Sequence, residues 1–122
     1  MKIYLAGKIT GDPDYQVKFM RARVQLERQG HTVLSPAVLP QGLEPGDYMQ
    51  ICTAMINVAD AVAFLPDWWD SAGAQFEQSY AAYVGKTRLW PWGGKRSKDY
   101  IQDGQQILAG IMEGIADGRT PL

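Results

Sequence analysis

The chain has 122 residues, 46% of them hydrophobic and 20% charged, with a formal net charge of −1. That length supports one domain with a single core, and so small a charge gives no electrostatic footing for a nucleic-acid polymer or an anionic membrane. A single cysteine, Cys52, excludes an internal disulfide and a cysteine-based zinc site, and a single histidine, His31, offers little for a His-ligated metal.

The opening MKIYLAGK is too short and too soon interrupted for a signal peptide, and no apolar run approaches ~20 residues. A cytoplasmic protein is therefore expected. Residues 2–6 read as a short apolar strand ending at Gly7, followed by a polar turn, GKITGDPD. From about Asp14 to Gln29 the spacing of Tyr15, Phe19, Ala22 and Leu26 predicts a helix with Lys and Arg on its outer side, closed by Gly30. Residues 31–34 form a second strand, stopped by Ser35-Pro36, and the proline- and glycine-rich stretch 36–46 reads as loop. Asp47 is expected to cap a helix running to about Val58, with Tyr48, Ile51, Met55 and Val58 inward and Cys52 on or beside that face.

Asp60, expected to anchor the turn, precedes the apolar strand 61–65, whose unbroken run suits a central strand covered on both faces. A loop rich in Trp and Asp leads to Ser71, a good N-cap. The next helix, ended by Gly85, is expected to turn Gly73, Tyr80, Ala81 and Val84 inward, and Glu77 shares that face, four positions before Ala81. Residues 87–90 make a fourth strand, 90–94 a turn, and 97–122 a glycine-interrupted helical tail. The order predicts an α/β, Rossmann-like (flavodoxin-like) three-layer fold: about four parallel strands, helices on both faces, and a site at the strands' carboxyl ends.

Three loops meet at that edge. Gly7, Lys8, Thr10 and Gly11 offer N–H groups, an ammonium and a hydroxyl that can hold a phosphate or a ribose, or they form a plain turn. A carboxylate on the packed side of a helix, as Glu77 is, costs free energy unless it is used or paired. It can serve as nucleophile or general base, or it is tied to Tyr4, Lys8 or Lys86. Asp67 and Asp70 flank Trp68 and Trp69; the acids can share acid–base work and the rings can stack on a base, or they are solvated acids and packed rings. Cys52 reads as a buried, inert thiol, His31 as structural, and Lys95, Arg96 and Lys98 as a solvated turn.

Taken jointly, KIYLAGKITG, GHTVLSPAVLP and the block from YMQICTAM to YAAYVGK resemble the nucleoside 2-deoxyribosyltransferase-like superfamily, most closely the small bacterial and phage proteins grouped as DUF4406. The resemblance covers roughly residues 1–90. It implies that Glu77 attacks the anomeric carbon of a nucleoside or nucleoside 5′-monophosphate, and that a second base or water resolves the glycosyl-enzyme. It also implies that Tyr4 positions Glu77, that Ser71 and Gly73 lie against the sugar, that Gly7 to Gly11 meet the sugar or phosphate, and that the chain forms a homo-oligomer. No metal or other cofactor is needed. Relatives carry an aspartate that assists departure of the base where this chain has Cys52; Asp47, Asp67 or Asp70 stands as its substitute. A non-catalytic nucleotide-binding module, or a phage-type accessory protein using the turn 90–94 and the tail as an interface, is the alternative reading.

Overall fold

The structure, a computed structural model, describes residues 1–94. Four parallel strands run in the order β2-β1-β3-β4, with β1 spanning Lys2–Ala6, β2 Thr32–Leu34, β3 Ala61–Phe64 and β4 Thr87–Leu89. Helices α1 (Tyr15–Arg28), α2 (Pro45–Val58) and α3 (Ala72–Tyr83) connect them in sequence. Each strand is short because its apolar run is, and Gly7, Ser35-Pro36 and Pro66 end the first three. The helix expected over the tail, and the Lys95, Arg96 and Lys98 cluster, lie outside the described residues.

The alternation of side chains along β1 and β3 builds two cores. Ile3, Leu5, Ala61 and Ala63 face α1 and meet Phe19, Ala22 and Leu26. Tyr4, Ala6, Val62 and Phe64 face the other way and meet Ile56 and Ala59 at the end of α2, and Ala74 and Ala81 on α3. Both central strands are thus covered on both sides, as an apolar run with no polar alternation requires. In the register, Tyr4 is opposite Val62 and Ile3 opposite Ala61, which puts the first and third strands side by side.

Helix α2 departs from the sequence reading at both its start and its face. It begins at Pro45, inside the stretch expected to be loop, because proline suits a first helical position where no N–H is needed. Glu44 therefore takes the N-cap position, and Asp47, one turn in, accepts the Glu44 N–H at 3.1 Å. The same stretch also holds a 3-10 turn, Pro36–Val38, capped by Ser35. The inward residue is Ile56, flanked by partly buried Cys52 and Met55, whereas Ile51 and Val58 are exposed. Helix α3 shifts likewise: Ala74, Phe76, Ser79 and Ala81 are buried, and Gly73 and Val84 are exposed.

The loop after β3 folds into a 3-10 turn, Trp68–Asp70, and sends Trp68 into the core. Its ring lies 5.4 Å from Phe64 and its indole N–H donates to the Gly94 carbonyl at 2.8 Å. Gly94 has φ +85°, and a Cβ there would come 2.6 Å from Pro66 Cα, so only glycine lets the chain close on the loop. Trp90 stacks on Phe64 at 5.3 Å, and Trp92 donates to Gln25. The aromatic turn expected as an interface is thus fastened to the body of the domain.

Candidate active site

Tyr4 sits mid-strand in β1 with no exposed surface, and its hydroxyl donates to Glu77 Oε2. Glu77 comes from the second turn of α3, which Ser71 starts by accepting the Ala74 N–H at 3.2 Å. The helix descends from the sheet's carboxyl edge, so a residue one to two turns in reaches the middle of the neighbouring strand. The Cys52 thiol of α2 shares the site, within hydrogen-bonding reach of Tyr4 and close enough to feel the charge of Glu77.

This trio has no cation in it, and its titration follows. Burial pushes the Glu77 carboxyl up to about 8, and the hydrogen bond from Tyr4 opposes the shift without cancelling it. Burial raises the Tyr4 phenol well above its ordinary value, helped by the neighbouring Glu77 charge. Cys52 is pushed up to about 11, mainly by burial. A carboxyl poised near neutrality between two reluctant acids is the arrangement of a group that can lose its proton and act.

A network of charges fastens the first loop to the third. Lys8 Nζ contacts Asp70 Oδ2 at 2.6 Å, and the Lys8 N–H donates to Asp67 Oδ1 at 3.1 Å. Lys18, on the first turn of α1, donates to the Lys8 carbonyl at 2.8 Å, to Asp12 Oδ2 at 2.5 Å and to Asp67 Oδ2. The Lys8 ammonium is held above its usual value by the bond to Asp70, and the Asp12 carboxyl below its own by Lys18. Gly7 is buried so tightly that a Cβ would lie 2.9 Å from Leu65 Cβ. Thr10 and Gly11 are exposed at the loop tip, Gly11 with φ +81°.

Some expected residues converge and others do not. Tyr4, Glu77 and the α3 start at Ser71 and Gly73 belong to one edge of the sheet. Trp68, expected to stack on a base, is only 4% exposed and its faces are taken by aromatic neighbours. Asp70, expected to assist catalysis, points at Lys8. Asp60 is the anchor it was read as, accepting the Lys2 N–H at 2.8 Å, and His31 meets the N-terminal amine at 3.2 Å.

One participant was missed. Lys18 was read as part of an outward charged face, although three unmatched aspartates in adjoining loops were a signal for it. Cys52 was read as an inert thiol that stands, by resemblance, where relatives carry an aspartate, and the structure sets it beside Tyr4. An open groove of about 470 Å³ lies on the α1 side, lined by Val17, Lys18, Leu65 and Trp92, and does not include Glu77. Among the described residues no helix is long and apolar enough to cross a membrane, and no group of His, Cys, Asp and Glu is arranged to hold a metal ion.

Comparison with known proteins bears on this geometry. A family described as "Domain of unknown function (DUF4406)" matches residues 1–89. Among solved structures, a 2-desoxiribosyltransferase from Leishmania mexicana is similar in fold, with a TM-score of 0.59 and 24% identity, over 72% of this chain and 61% of that one. The chain thus spans about three fifths of that protein's length. No curated protein matches the chain.

Proposed function

The chain belongs to the DUF4406 family, and from that premise we propose that it cleaves or transfers the N-glycosidic bond of a nucleoside or nucleoside 5′-monophosphate through a glycosyl ester of Glu77. The observation that carries this reading is the hydrogen bond from the buried Tyr4 to Glu77. It aims a carboxylate from the site edge and favours its ionised form. Glycosyl transfer with retention needs such a nucleophile against an oxocarbenium-like transition state.

The ionised Glu77 attacks C1′ and the base leaves. Water, or a second base, then attacks C1′ and frees the carboxylate. Ser71 and Gly73, at the first turn of α3, lie against the sugar, and Gly7, Lys8, Thr10 and Gly11 bound its far side. Asp70 holds Lys8 and so fixes the two loops, rather than serving the base directly. The cytoplasm is the compartment such a substrate implies. A homo-oligomer is supported by the exposed apolar residues Ile51 and Val58 on α2 and Tyr83 and Val84 at the end of α3; sedimentation tests it.

Incubation with a panel of deoxynucleosides and their 5′-monophosphates releases free base, and Glu77→Gln abolishes the release. Base release that survives this substitution contradicts the assignment. Cys52, in place of an acid beside Tyr4, favours a second reading, a module that binds a nucleotide without cleaving it. Calorimetric binding without turnover distinguishes that module.

A further inference from the structure

The first and third loops leave adjacent strands. The ladder between β1 and β3 closes with the Leu65 N–H donating to the Ala6 carbonyl at 2.8 Å. Beyond it one chain runs through Gly7 to Gly11, and the other runs to Ser71, where the helix that carries Glu77 begins. Past the ladder, side chains join the two, and Lys18 reaches furthest. An ammonium has three donors. Here one goes to the Lys8 carbonyl at the start of the first loop (2.8 Å), one to Asp12 Oδ2 at its end (2.5 Å), and one to Asp67 Oδ2 on the third loop.

The Lys8–Asp70 pair also spans the loops, but the Asp70 side chain is 55% exposed, against 24% for Lys18 and 21% for Asp12. Exposed pairs are screened and contribute little, so the inner ammonium is the stronger fastening. Its stem rises from α1 beside the buried Phe19 and Ala22, which ties the loops to the core. Without it, the carboxylates of Asp12 and Asp67, which converge on one nitrogen, repel each other and part the loops.

We propose that Lys18 is a positioning residue that sets substrate affinity by holding the loop from Gly7 to Gly11 against the third loop. This rests on the reading of the first loop as one wall of the substrate site. Tyr4 belongs to the core on the α2 and α3 side of the sheet, whereas Lys18 works from the α1 side. Removing its charge thus loosens the wall without moving the nucleophile. A contact made equally in ground and transition states shows in KM and leaves kcat alone.

The test is steady-state base release from 2′-deoxynucleosides by Lys18→Met, with Arg23→Met as a control that breaks only the surface pair Arg23–Glu27. Lys18→Met raises KM about 10-fold or more and keeps kcat within about 3-fold, whereas Arg23→Met changes neither. Asp12→Asn, a milder cut at the same clamp, raises KM by less. Calorimetric affinity for the same nucleosides, measured in Glu77→Gln with and without Lys18→Met, shows the same weakening with no turnover needed. A fall in kcat at constant KM, or unchanged affinity, overturns the inference and leaves Glu77 as nucleophile. Binding that weakens in a protein with no turnover overturns the proposed reaction and upholds the clamp. No binding of any nucleoside overturns both.

Discussion

The Tyr4 hydroxyl and the Glu77 carboxylate meet across 73 positions of sequence, one from the central position of a parallel strand and the other from the packed face of a helix. That hydrogen bond lowers the Glu77 pKa against the pull of burial. Tyr4→Phe keeps the ring and removes the donor. The pH at which base release is half-maximal then moves upward from about 8. Hydrogen bonds to charged groups are worth roughly 1.5–3 kcal/mol, so activity at neutral pH falls on the order of 10-fold or more. A full pH–rate profile reads both.

Glu77 also makes stability depend on pH. Its folded value of about 8 lies above the 4.5 of an unperturbed glutamate. The folded state therefore binds the extra proton between those values. The stability this supplies is complete below about 4.5 and lost as pH rises through about 8. Glu77→Gln removes the dependence. Urea denaturation shows the variant gaining on wild type by on the order of a few kcal/mol between about pH 5 and about pH 9.

Lys18 ties three partners together at the base of the loops. Lys18→Met keeps the stem along α1 and removes the ammonium. Amide hydrogen exchange then accelerates about 10-fold or more in residues 7–13 and 66–71, while the strands keep their protection, as expected of loops that open locally. Exchange that speeds up equally in β1 and β3 contradicts this local role.

Cys52→Asp places an acid where the thiol now meets Tyr4. Base release from 2′-deoxyguanosine at neutral pH rises by about 10-fold or more, because a positioned general acid assists departure of the neutral base. The two carboxylates then share one proton, so the pH–rate profile becomes bell-shaped and falls again at high pH as the acid ionises.

Much of this architecture was legible in the sequence. The apolar runs 2–6 and 61–65 announce buried parallel strands, and the spacing of Glu77 to Ala81 sets the carboxylate on the packed face of α3. Tyr4 could be named beside it once those two strands were adjacent. The face of α2 was not legible, because Ile51, Met55 and Val58 have as good a helical spacing as Cys52, Met55 and Ile56. Only the position of β1 chooses between them. Trp68 escaped for a related reason: a 3-10 turn has no long periodicity, and what buries its ring is Phe64, Trp90 and a glycine carbonyl from the far end of the domain.

The most direct measurement is intact-protein mass spectrometry after rapid acid quenching during turnover of a deoxynucleoside, followed by peptide mapping. The account predicts a deoxyribosyl adduct on Glu77 that is absent from Glu77→Gln. Turnover without an adduct, or with the adduct on another side chain, contradicts it.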